Sequence, residues 1–279
     1  MTTEPQTDPL LAAAQAGDAT ALEQLIAQHQ AQLYRFSMRM CRAPEDAEDV
    51  LQETLLSLAR GVRGFRGGSS LSTWLYTVAR NHCIRKRRRR AGAGEEQPMD
   101  GHDEGSALEL ADAARSPEAE VAGREVEAAL ERAIAALEPG YREVLVLRDI
   151  EGLTAPEVAE VLGLGLPAVK SRLHRARLSV REAVAPALGL GREPATNEGG
   201  CPDILTLFSR HLEEEISGEV CKEMERHLEQ CPRCTSACES LRKTLALCHV
   251  RGAEGEVPLR VQRAVKVAIA GFLQGAKQS

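Results

Sequence analysis

Aromatic side chains are scarce in this sequence: Phe, Tyr and Trp make up 3% of its 279 residues, with a single Trp. Its cores must therefore be aliphatic, and the dominance of Ala, Leu, Glu and Arg makes them helical. Long apolar runs are also missing. None reaches the roughly 18–20 residues that span a bilayer, and the polar N-terminus lacks a signal-like apolar stretch. A cytoplasmic protein with no membrane insertion is expected. There is no phosphate loop, activated nucleophile or acid pair, so the chain is not expected to be an enzyme.

The net charge of −6 hides a strong asymmetry. Nine acids against Arg115 alone fall between Ala91 and Glu120, which gives that segment −8 and leaves the remainder slightly basic. The mean charge thus conceals basic patches that suit nucleic acid. Six of the eight cysteines follow residue 200. In a reducing compartment that clustering points to metal or redox chemistry more than to disulfides.

An all-α chain of several small domains follows from the pattern. Residues 1–9 are expected to be disordered. From 10 to 90, Leu22, Leu25, Ile26, Leu33, Phe36 and Met40 recur at helical spacing, with Asp18 or Thr20 as a helix cap. An acidic helix follows from Pro44, with Ala47, Val50, Leu51, Leu55 and Leu58 inward and Asp49, Gln52 and Glu53 on another face. A Gly/Ser loop then leads to a helix carrying Trp74 and Tyr76, which ends in the cationic run 85–90. Acid in one place, and base with aromatics in another, predict two partners: a protein surface and a nucleic-acid strand. Residues 91–122 read as a flexible acidic linker.

Regular helical spacing returns over 123–186. Thr154 and Glu157 form a capping box, Pro156 lies in the first turn, and Gly163 ends that short helix. The next helix places Val169, Leu173, Ala176 and Val180 on one face. Lys170, Ser171, His174 and Arg175 lie opposite, flanked by Arg172 and Arg177. A capped helix, a Gly turn and a helix of this charge segregation predict a helix-turn-helix whose outer face suits the major groove.

Residues 10–90 and 126–184 resemble the two regions of extracytoplasmic-function (ECF) sigma factors of bacterial RNA polymerase. The resemblance rests on the acidic stretch from Asp46 to Thr54, on Phe65-Arg-Gly with Ser-Thr-Trp-Leu-Tyr and Ala-Arg-Asn, and on Val169-Lys-Ser-Arg-Leu-His-Arg-Ala-Arg. It implies docking on core polymerase (the β′ and β subunits) through Asp46, Asp49, Gln52 and Glu53. It also implies contact with the opened −10 promoter element through Phe65, Ser69, Ser70, Trp74, Tyr76, Arg80 and Asn81. The −35 element would be read by Lys170, Ser171, Arg172, His174, Arg175 and Arg177. His174 stands where members often carry an aromatic. Loop residues 65–72 beside Trp74 could hold a flipped-out base.

A second linker, 187–200, precedes a cysteine-rich segment, 201–250. His227, Cys231 and Cys234 follow a His-x3-Cys-x2-Cys spacing that would line one helical ridge. An antiparallel hairpin turning at Gly218 would return them to the level of Cys201, which completes a tetrahedral zinc set. Cys221 lies ten residues from Cys231, about 15 Å along a helix, so it cannot join that set. A second cluster of Cys221 and Cys248, with His211, His249 or Cys238, is expected. The segment resembles the zinc-binding domain of anti-sigma factors, and its fusion to a sigma factor resembles the CorE type, in which the tail senses metal. Mixed imidazole and thiolate ligands suit Zn2+ or Cd2+, with copper as the alternative, although no Cys-x-Cys pair is present. The amphipathic stretch at 251–279 would pack on the sensor or on a sigma region. Two other readings remain open: a purely structural zinc with a separate regulator, and a stand-alone helix-turn-helix regulator.

Overall fold

Helix starts follow their caps. In the computed structural model, which describes residues 8–41, 43–92, 117–189, 201–253 and 257–276, Asp8 caps α1 (Pro9–Gln15) and Asp18 caps α2 (Ala19–Met40) by accepting from backbone N–H groups. α3 (Pro44–Gly61) opens on a proline, where the missing N–H is harmless. A short 3₁₀ turn, Val62–Gly64, leads towards α4 (Leu71–Gly92), whose first turn is capped by the Ser70 hydroxyl accepting from the Thr73 N–H at 3.1 Å. Then come α5 (Pro117–Ala136) and α6 (Pro139–Leu145), which runs into a π turn at Val146–Ile150. α7 (Ala155–Leu162) and α8 (Leu166–Val184) complete that module. α9 (Ile204–Leu212), α10 (Gly218–Gln230), α11 (Pro232–Ala253) and α12 (Leu259–Ala276) finish the chain. All regular structure among the described residues is helical. No described helix is long and apolar enough to cross a membrane.

The chain divides into two units. The first holds α1–α4 and the last helix, α12. Its core is Leu25, Leu33, Phe36, Val50, Leu51, Leu55, Leu58 and Leu75, each at 0% exposure. Phe36 meets Tyr76 edge-on, with ring centroids 5.2 Å apart. A ladder of polar contacts joins α3 to α4: ion pairs of Asp46 with Arg90 at 3.0 Å and Asp49 with Lys86 at 2.5 Å, and a contact of Glu53 with His82 at 2.5 Å, where burial lowers the imidazole pKa. Cys41 and Cys83, the two cysteines outside the tail, are buried with sulfurs 2.9 Å apart. α12 buries Val261, Val265 and Ile269 and packs on α3, where Arg260 donates to Glu48 at 2.7 Å. Of the two placements expected for the final helix, this is the one on the first sigma-like module.

The second unit holds α5–α11. α8 lies against α5, α6, α7, α9 and α11, so its inner residues Val169, Leu173, Ala176 and Val184 are fully buried. α9, α10 and α11 share a small core of Ile204, Phe208, Met224, Ala237, Leu241 and Leu245.

Three boundaries differ from the sequence reading. Pro9 is already helical. α5 starts at Pro117, inside the segment read as linker. Most of that linker, together with residues 1–7 and 190–200 of the other expected flexible segments, lies outside the described residues. α9 stops at Leu212 rather than near Ser217, because Glu214 adopts a left-handed backbone with φ 56°.

The core assignment has a direct test. Phe36→Ala should destabilise the first unit by about 3–5 kcal/mol, as expected for a buried ring removed from a packed core. Arg90→Ala, at the open end of the ladder, should cost under about 1 kcal/mol. Chemical denaturation of the full chain followed by Trp74 fluorescence compares the two.

Candidate nucleic-acid interface and metal centre

Thr154 caps α7 by accepting from the Glu157 N–H, while the Glu157 carboxylate accepts from the Thr154 N–H at 2.8 Å. Gly163 ends the helix at φ 65°, a conformation that strains any residue with a Cβ. α8 then presents Ser171 and Arg175 to solvent and Lys170, Arg172 and His174 half-buried. Arg175 donates to the Tyr141 hydroxyl at 3.3 Å. The helix-turn-helix geometry expected from the caps and the charge pattern is present.

Arg177 departs from the sequence reading. It is 3% exposed, and its guanidinium grips Asp149 of the π turn in a bidentate pair, Nε to Oδ2 at 2.8 Å and a terminal nitrogen to Oδ1 at 2.6 Å. The helical step from Leu173 to Val180 turns position 177 towards the core, so the charge needs an internal partner. It is not a groove-facing residue. The pair favours the charged guanidinium and raises its pKa against the opposing effect of burial.

The cysteine-rich tail reaches the same helix. Glu213 accepts from Arg177 at 2.8 Å and from Arg148 at 3.3 Å. Glu215 pairs with Lys170 at 3.1 Å. The Thr206 hydroxyl meets His174 Nε2 at 3.1 Å. Sequence reasoning missed Glu213, Glu215, Thr206, Arg148 and Asp149. The one available signal was the acid run 213–215 following a cationic helix in the chain, and its placement inside an expected helix concealed the turn.

In the first unit, Trp74 is half-buried and meets Phe65 edge-on at 6.0 Å, against the backbone of Gly61. Ser69 and Arg80 are partly exposed, and Ser70 and Asn81 are exposed, though the Ser70 hydroxyl is engaged as the α4 cap. Tyr76 is corrected: it is 1% exposed, because it lies on the inward stripe of α4 beside Leu75 and Ala79. It fills the core and does not face a strand. Asp49 and Glu53 are exposed and Gln52 half-exposed, whereas Asp46 is buried. Asp46, Asp49 and Glu53 are not a bare acidic surface, since α4 supplies each with a basic partner.

Cys201, His227, Cys231 and Cys234 converge, with all four ligand atoms within 4.8 Å of one another. Cys201 and Cys231 sulfurs are 3.9 Å apart, and His227 Nε2 is 3.1 Å from the Cys234 sulfur. Ligands on one tetrahedral zinc, with bonds of about 2.0–2.3 Å, stand about 3.5–3.8 Å apart. The donor set of one nitrogen and three sulfurs fits zinc. The expected single ridge is not how it forms. α10 ends at Gln230, Cys231 is an extended cap, and Cys234 lies in the first turn of α11, so the ligands flank a knuckle. Burial pushes the Cys234 thiol up to about 12, reinforced by Cys231 and Cys201, while hydrogen bonds from the Cys234 backbone and side chain pull Cys231 down.

The expected second cluster is not assembled as proposed. Among the described residues, no three of Cys221, Cys238, Cys248, His211 and His249 meet at ligating distance. Cys238 and Cys248 are buried on the inward face of α11 and serve packing, while His249 lines a cleft with Arg148 and Phe208. Cys221 and His211 do meet, at 3.5 Å.

Comparison with known proteins fits this geometry. The Sigma-70 region 2 family matches residues 25–92, the Sigma-70, region 4 family matches 127–180, and a zinc-finger family matches 201–235. The ECF RNA polymerase sigma factor SigM of Mycobacterium tuberculosis (strain ATCC 25618 / H37Rv) is 36% identical over 168 residues, which cover 60% of this chain and 79% of that one. The RNA polymerase sigma-H factor of Pseudomonas aeruginosa is 31% identical over 196 residues, 67% of this chain and 98% of its own. The solved structure of CnrH in complex with the cytosolic domain of CnrY is 27% identical, covering 61% of this chain and 92% of that chain, at a TM-score of 0.43. Two helical modules, the second a helix-turn-helix, followed by a zinc-finger tail define a transcription initiation factor with an added domain. The chain belongs to the ECF family of sigma-70-type RNA polymerase sigma factors, whose members direct transcription rather than catalyse a reaction.

Two outcomes test the site. Arg177→Ala strands the Asp149 carboxylate and should destabilise the second unit by about 3–5 kcal/mol, whereas Arg175→Ala should leave stability within about 0.5 kcal/mol; thermal unfolding separates them. His174 supplies a pH dependence. Burial lowers its pKa below the usual value of about 6.5, against the raising effect of Asp203, and its Nδ1 has no hydrogen-bond partner among the described residues. The unfolded chain therefore takes up this proton more readily than the folded one. Stability from the α8–α9 seam is complete above pH of about 6.5 and is lost as pH falls below it. His174→Gln should flatten that slope in melting curves recorded across the range.

Proposed function

We propose that this sigma factor is regulated by its own metal-binding tail, which masks the promoter-reading helix. In this reading the first module docks on core polymerase through Asp49, Gln52 and Glu53, and holds the opened −10 strand at the 65–70 loop and Trp74. Arg80 and Asn81 contact phosphates. The second module reads the −35 element through Lys170, Ser171, Arg172, His174 and Arg175.

The observation that carries the masking is the placement of Glu213 and Glu215. These two carboxylates occupy Lys170, Arg148 and Arg177, the cations around the recognition helix. Thr206 occupies His174 in the same way. A DNA phosphate carries the same charge and accepts the same hydrogen bonds, so tail and duplex compete for the half-buried Lys170, Arg148 and His174, while the buried Arg177 stays with Asp149. The metal is zinc or cadmium, matched to the imidazole and three thiolates of Cys201, His227, Cys231 and Cys234. A set of four protein ligands is closed, as in sites that hold their ion for structure. Metal there keeps the hairpin folded and so keeps the acidic turn in register with α8.

Co-elution with core RNA polymerase tests the sigma-factor assignment to this chain; loss of co-elution under both metal-loaded and chelated conditions would refute it. The mask is tested by the double variant Glu213→Gln/Glu215→Gln. Binding of a short mixed-sequence duplex at low salt, read by fluorescence anisotropy, should tighten by about fivefold or more, the equivalent of about 1 kcal/mol. Unchanged affinity would remove the mask from the mechanism.

A further inference from the structure

The closed zinc set leaves one question of chemistry open, because a site that retains its ion is a poor reporter of metal supply. A different constellation lies at the other end of the α9–α10 hairpin. His211 Nδ1 stands 3.5 Å from the Cys221 sulfur, and the Cys221 sulfur stands 3.6 Å from Glu225 Oε1. On a tetrahedral zinc or cadmium-class ion, nitrogen–sulfur and sulfur–oxygen ligand pairs stand about 3.6 Å apart. Both separations from Cys221 are already of that size, and His211 and Glu225 must still draw together, since the three donors do not yet converge. Cys221 and Glu225 are four residues apart on α10 and share a face, while His211 comes from the end of α9 across the turn. His211 and Cys221 are half-exposed and Glu225 is exposed, so an ion can enter and leave.

We propose that His211, Cys221 and Glu225 form a second, exchangeable site for a thiophilic divalent cation, with a fourth position open to water. The site provides one nitrogen, one sulfur and one oxygen, and its formation releases the Cys221 thiol proton to solvent. Its link to promoter binding rests on the masking role of the tail. The His211 carbonyl accepts from the Glu214 N–H at 3.0 Å, and Glu214 is the left-handed residue between the two masking carboxylates. An ion clamping His211 to Cys221 therefore clamps both ends of the turn that carries Glu213 and Glu215. Two ligand separations are already correct in the masked arrangement, so linkage requires that the ion favour it.

The test uses full-length, metal-stripped protein and cadmium alone as the probe. Cadmium–thiolate absorbance and bound metal per chain should show two equivalents for the unaltered chain, the second weaker than the first. Cys221→Ser and His211→Ala should each retain only the first, with helical content by circular dichroism unchanged. A single equivalent in the unaltered chain, or two in Cys221→Ser, would overturn the site. The second equivalent should weaken binding of the mixed-sequence duplex about fivefold or more, and this effect should vanish in Cys221→Ser. Saturation of the second equivalent with no change in duplex affinity would overturn the link. If Glu213→Gln/Glu215→Gln leaves duplex binding unaltered while Cys221→Ser still loses one equivalent, the mask fails and the site stands.

Discussion

The arrangement of the second unit depends on a buried set of charges at Arg177. Arg177 and Asp149 have side chains only 4% and 3% exposed, and Glu213 of the tail is 5% exposed. Bringing such ions out of water costs several kcal/mol each, and only close pairing offsets it. Within the helix-turn-helix module Arg177 is paired with Asp149, while Arg148 donates to the Leu153 carbonyl. Glu213 of the tail accepts from both arginines. The tail is therefore held on α8 by pairing with the arginine charge of the module, in a spot where water cannot substitute well. In the proposed mask, a phosphate would compete only for the solvent-facing part of this charge, while Arg177 keeps Asp149.

Much of this was legible in the sequence, for identifiable reasons. Capping residues act locally, so Asp18, Thr154 with Glu157, and Gly163 specified their helix ends without any tertiary information. The inner face of α8 was legible because an aliphatic stripe at helical spacing has one stable destination. Residues of mixed character were not. Tyr76 and Arg177 each carry a polar end that suits a ligand and a body that suits a core. Which end prevails is decided by neighbours distant in sequence: Phe36 for one, Asp149 and Glu213 for the other. The acids of α3 and the bases of α4 were read as serving separate partners because composition cannot show that two helices place them rung against rung.

The zinc set was legible by another route. Cysteine and histidine spacing restricts geometry so tightly that four ligands could be chosen from seven histidines and eight cysteines. The spacing did not disclose the backbone that brings them together. Two helices meet at an extended Cys231, which aims three donors inward from two elements instead of one. Cys221 and His211 were likewise paired by their level on the hairpin, but Glu225 was overlooked, because an acid on an exposed helix face is ordinarily just solvated.

The proposed coupling of metal and mask follows from the size of the tail domain. A core of some eight side chains is too small to hold three helices by apolar burial alone, and small domains of this kind are commonly stapled by metal. A metal held by Cys201, His227, Cys231 and Cys234 would fix one end of the α9–α10 hairpin, while the acidic turn projects from the other. On the proposed reading, loosening the ligand end would release the register that sets Glu213 against Arg177 and Glu215 against Lys170. Recognition-helix availability then depends, on that reading, on how well a domain of marginal core is held together, with the closed set supplying the hold and not the report of metal supply.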